Sequence, residues 1–310
     1  MLSRYARFAQ ALELLLYLVA GAWLFQRWSW PLPAIFLAIL GAIVLSRLVI
    51  VAFSIGLGHR HRSPRLPDHR LDARGWLRYA WREYLAWMEF NLLAVPWDRW
   101  WLRPDPPLAA TDRMPVLLLH GYFASRGYFR GLARTLEANG AGPVYAPNFR
   151  TWFASIESFE EEIHAAVERI AAATGREKLF VITHSMGGLG IRAYLVRRGG
   201  RRIAGLVTLA APHQGTALAR FGSGENARQM RRGSVFLSEL VRMEEMAAHP
   251  PTLSIYTRHD NLVAPQEASE LSWARNVGLV GHGHLAMMEA PELEPLLVDA
   301  MRAAGALPPA

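Results

Sequence analysis

Residues 182–188 read Ile-Thr-His-Ser-Met-Gly-Gly and close the apolar run that starts at Leu179. An apolar strand that runs into x-Ser-x-Gly and then into a helical pattern describes a tight strand-to-helix turn with serine at its apex. Such a turn needs small residues two before and two after the serine. Gly187 meets that on the far side, while Thr183 stands where glycine is usual. The turn lifts the Ser185 hydroxyl clear of the backbone, above a helix N-terminus that favours developing negative charge. That is the setting of a serine nucleophile. The competing reading is a serine that simply N-caps a helix.

A nucleophilic serine needs a base, an acid that orients the base, and donors for the oxyanion. Three other strand ends offer them. Residues 115–122, Pro-Val-Leu-Leu-Leu-His-Gly-Tyr, read as a buried strand ending in His120-Gly121. Residues 253–263 read as a strand that ends in a carboxylate, Asp260, before Asn-Leu-Val. Residues 277–284 read as a strand ending in His282-Gly-His284, followed by a helical pattern over 285–301. Groups at the carboxyl ends of parallel strands converge on one rim of a sheet.

On these motifs, from about residue 114 onward the chain resembles the α/β-hydrolases, and among them the bacterial triacylglycerol lipases and esterases. The element Ala211-Pro-His-Gln-Gly-Thr216 after a strand narrows the resemblance. The likeness implies a mostly parallel, doubly wound sheet, with Ser185 as nucleophile, Asp260 as triad acid and His284 as base. It implies backbone N–H groups of Tyr122 and Met186 as the oxyanion hole, no metal or organic cofactor, and a lipid or acyl-ester substrate. Glu267 and Glu270 are weaker candidates for the acid. His282 competes with His284, which is favoured because Leu285 follows it as in the family's Gly-His-Leu. His184 is expected to pack behind the turn and His213 to shape the turn after its strand. A metal at His282 and His284 lacks a third ligand of recognisable spacing.

The pattern over 114–310 alternates strand and helix, which implies a parallel sheet covered on both faces. Strands are expected at 115–120, 144–147, 178–183 and 203–211. Helices are expected at 128–138, at 186–198, and from the capping box Ser158-Phe-Glu-Glu161 to about residue 173. Residues 214–249 break the rhythm and read as a lid-like insertion with an apolar face at Val235, Phe236, Leu237 and Leu240.

The first 113 residues read differently. The chain has 310 residues, no cysteine and a net charge of +8. Residues 1–113 hold 14 Arg against 8 acids, so most of that excess is theirs. The lack of cysteine suits a reducing compartment. Residues 8–25 and 34–57 are apolar apart from Gln10 and Glu13 in the first and Ser46, Arg47 and Ser54 in the second. Each is near the ~20 residues a spanning helix needs. The link Gln26-Arg-Trp-Ser-Trp-Pro-Leu-Pro33 suits a turn at a bilayer interface. Residues 1–58 are therefore expected to form a transmembrane hairpin, in which Glu13 and Arg47 could pair. The rival for the first segment is a signal peptide cleaved near Ala20-Gly-Ala22, but the apolar run continues past that point.

Arg4 and Arg7 precede the hairpin and Arg60, Arg62, Arg65 and Arg70 follow it, with only Arg27 between. The positive-inside tendency then places the hydrolase part on the cytoplasmic side of the cell inner membrane. Residues 59–113 read as a basic, Trp-rich juxtamembrane stretch that would attract anionic headgroups rather than nucleic acid. Its segment 76–90 repeats aromatics at helical spacing. Two placements stay open, along the interface or packed on the hydrolase domain. The leading function is a membrane-anchored serine ester hydrolase. An acyltransferase on the same triad and a non-enzymatic membrane protein reusing the fold are the alternatives. Chain-length preference and oligomeric state are not legible.

Overall fold

The structure is a computed structural model that describes residues 2–64, 67–150 and 152–308. Arg65, one of the arginines in the orientation argument, lies outside the described residues.

Two long helices open the chain, α1 (Leu2–Trp28) and α2 (Leu32–Arg60). They extend beyond the apolar segments 8–25 and 34–57. Ser29 turns the chain with φ of 52°, and Pro31 caps α2, where its missing N–H costs nothing. At the far end a methyl on Gly21 would lie 2.7 Å from Ile35 Cγ2, so the helices touch there. Nearer the helix ends at Leu2 and Arg60, Arg47 Nη2 donates to Glu13 Oε2 at 2.6 Å, and Arg47 Nη1 bonds the other carboxylate oxygen. The Tyr17 hydroxyl also donates to Glu13, at 2.8 Å. Phe8, Leu16, Leu32, Phe36 and Leu37 are each more than 60 % exposed. Soluble monomers rarely expose contiguous apolar patches beyond a few hundred Å².

α3 (Ala73–Glu89) follows, capped by Asp72, whose carboxylate accepts the Gly75 N–H at 2.7 Å. It runs into a π-turn at Phe90–Ala94 and a short α4 (Asp98–Trp101). One face of this segment packs on the six-stranded part of the chain and the other is open. Tyr79, Glu83 and Tyr84 are buried, while Leu77, Trp81 and Leu85, four residues apart, stand exposed.

The remainder is built on six parallel strands: β1 (Val116–Leu119), β2 (Val144–Tyr145), β3 (Leu179–His184), β4 (Ile203–Leu209), β5 (Thr252–Thr257) and β6 (Arg275–Leu279), in the order β2-β1-β3-β4-β5-β6. Their side chains alternate between two cores, as the period of a strand requires. Val116, Leu118, Phe180 and Ile182 pack with α5 (Arg130–Ala138) and α10 (Leu293–Ala303). Leu117, Leu119, Leu179 and Val181 pack with α6 (Ile156–Thr174) and α7 (Gly187–Arg198). The central strands are buried on both faces, which is why they read as unbroken apolar runs.

Three local expectations need correction. α6 starts earlier than the Ser158 box: Ser155 is the N-cap and accepts the Ser158 N–H at 3.2 Å. The helical pattern over 285–301 is two elements, a 3₁₀ turn at Ala286–Glu289 and then α10, because Pro291 cannot continue the first. The helix expected over 128–138 opens as a 3₁₀ turn, Arg126–Phe129.

Residues 214–249 hold a 3₁₀ turn (Ala217–Phe221), α8 (Glu225–Gln229) and α9 (Val235–Glu244). Leu237 and Leu240 face the core, whereas Val235 is exposed. Arg192 of α7 binds both Glu244 oxygens at 2.7 Å and the His213 carbonyl at 2.7 Å, which pins α9 to the domain.

Candidate active site

Ser185 stands at the carboxyl end of β3 with φ of 57°, a left-handed conformation that costs energy in any residue with a Cβ. Its neighbours explain how that turn closes. A methyl on Gly187 would strike the Leu119 and His120 carbonyls, and one on Gly121 would lie 2.7 Å from Ser185 Cβ. Both positions must therefore be glycine. Thr183, in the usual glycine position, is accommodated fully buried.

His284 and Asp260 meet on the same rim. His284 Nδ1 lies 2.9 Å from Asp260 Oδ2 and 3.1 Å from Oδ1. Asp260 also accepts the N–H groups of Leu262 and Val263 at 2.8 and 2.7 Å. Burial alone would lower the His284 pKa. The charge of Asp260, its hydrogen bond and the charge of Glu83 outweigh this and hold it above the ordinary histidine value.

Ser185 and His284 line one cavity of about 670 Å³, together with Gly121 and Tyr122. Among the described residues no hydrogen bond joins the Ser185 hydroxyl to the ring. In ligand-free sites such bonds are commonly long and tighten when substrate binds.

Residues 114–232 match a family described as "alpha/beta hydrolase fold". The six-stranded parallel sheet and its helices have the α/β-hydrolase fold. Two curated triacylglycerol lipases, from Pseudarthrobacter phenanthrenivorans and Burkholderia plantarii, are each 35% identical to the chain over 121 residues. That stretch is 36% of this chain, and 37% and 33% of theirs, so the chain spans only about a third of the length of these relatives. Among solved structures, Aspergillus fumigatus lipase B aligns with a TM-score of 0.57 at 19% identity, covering 65% of this chain and 55% of that one. Bacillus licheniformis lipase BlEst2 in its mature form aligns at 0.55 with 13% identity, covering 64% and 94%. At such identities the likeness concerns the fold.

The other candidates from the sequence fall elsewhere in the α/β-hydrolase domain. Glu270 accepts the Tyr256 hydroxyl at 2.5 Å and Glu267 lies 3.9 Å from Arg258, so neither approaches His284. His282 faces Glu292 at 3.4 Å. His184 sits behind the turn, with Nε2 3.2 Å from the His284 carbonyl, and burial pushes its pKa well down. His213 is buried against Thr208 Oγ1 at 3.0 Å. His120 is buried too, its pKa pushed down to about 4; its Nδ1 lies 3.1 Å from the Gly121 carbonyl and its Nε2 accepts the Phe149 N–H at 3.4 Å. For Tyr122 and Met186, no carbonyl among the described residues takes either backbone N–H. The Tyr122 hydroxyl ties its loop to residue 223, donating to the Ser223 carbonyl at 2.7 Å and accepting its N–H at 2.9 Å.

Four supports of the candidate site carry no signal in the sequence. Glu83 of α3 is fully buried and accepts the Ala286 N–H at 2.9 Å and the Leu285 N–H at 3.2 Å, just beyond His284. Burial pushes its pKa up, against those two hydrogen bonds. Gly283 is glycine because a Cβ there would strike the Glu83 carboxylate. Asn261 Oδ1 accepts the His284 N–H at 2.9 Å, and its Nδ2 donates to Ser54 of α2 at 2.9 Å. Only glycine fits at position 58, since a methyl would meet Asn261 Cα at 2.8 Å. The links to Glu83 and to α2 have no short-range signature, because their partners lie some 200 residues apart.

Proposed function

We propose that this protein is a membrane-anchored serine ester hydrolase of lipase or carboxylesterase type. Ser185 is the nucleophile, His284 the base and Asp260 the acid that orients it. The reading is carried by one arrangement: a serine in strained left-handed backbone at a strand end, sharing a cavity with an imidazole whose other nitrogen is fixed to a buried carboxylate. The triacylglycerol lipases that match part of the chain support the same chemistry.

On this reading His284 Nε2 takes the Ser185 proton as Oγ attacks the ester carbonyl carbon. The carbonyl electron pair moves to oxygen, where the N–H groups of Tyr122 and Met186 receive it. Losing one such donor costs about 3–4 kcal/mol of transition-state stabilisation. The tetrahedral species collapses, the alcohol leaves with the proton from His284, and an acyl-enzyme remains. Water, deprotonated by His284, attacks the acyl carbon and releases the acid. Asp260 stays ionised throughout and stabilises the imidazolium.

α1 and α2 form the anchor, with Trp28 and Trp30 at the distal interface and the hydrolase domain on the cytoplasmic face of the inner membrane. The exposed stripe Leu77, Trp81 and Leu85 rests on the bilayer surface, where the basic juxtamembrane stretch meets anionic headgroups.

The test is hydrolysis of p-nitrophenyl esters and labelling by a fluorophosphonate probe, on wild type and Ser185→Ala. Turnover and labelling in wild type, both lost in Ser185→Ala, uphold the reading. Folded wild-type protein that does neither overturns it.

A further inference from the structure

The cavity at Ser185 does not end inside the hydrolase domain. It continues between the two N-terminal helices. Leu2, Ala6, Ala9 and Glu13 line it from α1, and Arg47, Ile50, Ser54 and Leu57 line it from α2. Each set recurs at three- and four-residue steps, so one continuous stripe of each helix faces the space. On α1 the stripe spans eleven residues, which at 1.5 Å per residue is about 16 Å. Half of a hydrocarbon core of ~30 Å is about 15 Å, the reach of one leaflet's acyl chain.

The two ends of this channel differ in chemistry. At the upper end stand Ser185, His284 and Gly121. At the lower end the Glu13–Arg47 pair bridges the helices, and beyond it Gly21 packs on Ile35. Both Arg47 terminal nitrogens are engaged by the Glu13 carboxylate, so this floor offers no free charge to an anionic headgroup. Most side chains between floor and serine are apolar or small, and Ala6 and Ala9 keep the bore open. The amides of Gln10 and Asn91 also line it, and each donates to a backbone carbonyl, of Asn91 at 2.8 Å and of Trp87 at 3.0 Å.

We propose that the facing stripes of α1 and α2 form the acyl-chain sleeve of Ser185, with the Glu13–Arg47 pair as its floor. The substrate class is then an ester of a long-chain fatty acid whose single scissile chain lies along the hairpin. This rests on the ester-hydrolase reading above. It makes the anchor a specificity element, and it ties chain-length preference to positions in the membrane helices.

The experiment uses full-length protein in nanodiscs and reads the ratio of kcat/KM for p-nitrophenyl palmitate to that for p-nitrophenyl butyrate. Ala9→Trp places an indole midway down the sleeve. It should lower the ratio at least about tenfold, as expected when two or more methylenes lose their burial. Leu16→Trp, on the outward face of α1, should leave the ratio within about twofold, the spread of surface substitutions. Ala9→Leu reads the same ratio if the larger side chain does not fold. An Ala9 variant that labels with fluorophosphonate and cleaves butyrate, yet keeps the wild-type ratio, overturns the sleeve alone. Wild type that neither labels nor cleaves any ester overturns the hydrolase reading as well.

Discussion

Asn261 Nδ2 donates a 2.9 Å hydrogen bond to Ser54 Oγ, and through it the loop that carries Asp260 is fastened to α2. The same amide accepts the His284 N–H through its oxygen. One side chain thus connects the hairpin, the acid loop and the histidine loop, so substitutions in the hairpin should be felt at the catalytic rim.

Asn261→Ala should lower kcat and destabilise the domain by about 1–3 kcal/mol, because it leaves the buried His284 N–H without an acceptor. Ser54→Ala removes only one neutral bond and should cost about 1 kcal/mol. Thermal unfolding in detergent, run beside ester turnover, ranks the two. Equal and negligible effects would show that the bridge carries nothing.

The pH dependence follows from His284. On the proposed mechanism His284 must be neutral to accept the Ser185 proton, and its pKa is raised. The acid limb of kcat/KM should therefore lie above the ordinary value of about 6.5. Asp260→Asn removes the main raising cause, so the limb moves to lower pH while kcat falls about 10⁴-fold. A pH series on both proteins measures each quantity.

Glu83 offers a sharper test, because its charge is among the causes that hold His284 up. Glu83→Gln discards the charge but keeps one amide oxygen, which in the place of Oε2 accepts both N–H groups. The acid limb should shift to lower pH with little change in unfolding temperature. Glu83→Ala leaves both the Leu285 and Ala286 N–H groups buried and unpaired, at about 1–3 kcal/mol each. A pH profile unmoved in Glu83→Gln would reduce this residue to a structural strut.

Glu13 and Arg47 should be interdependent. Either single change to leucine strands a charge within the hairpin, and an isolated arginine at a helix centre costs about 2.5–3.5 kcal/mol on insertion scales. The double variant should recover most of that loss. Unfolding of all four proteins in one detergent gives the coupling energy directly.

The rim was legible in the sequence where chemistry coincides with a strand end. Ser185 announced itself through Gly187 and the apolar run before it, and Asp260 and His284 through turns that follow buried strands. Pro291 was visible, yet the apolar period ran across it and masked the break between the 3₁₀ turn and α10. Ser155 and Ser158 are both plausible caps, and only the observed bond to the Ser158 N–H decides between them. Glu83 looked like one more charge on an aromatic helix. Its role depends on residues 285 and 286, and no local pattern encodes a contact at that separation.

Glycine at position 58 shapes how the site is assembled. It sets the last turn of the second helix directly against the backbone of Asn261, so anchor and reaction centre are assembled as one object. The histidine loop is held to the hairpin through Asn261. A polypeptide that failed to insert would have nothing to dock that loop against. On the proposed reading, ester cleavage would then begin only in molecules already resident in the lipid.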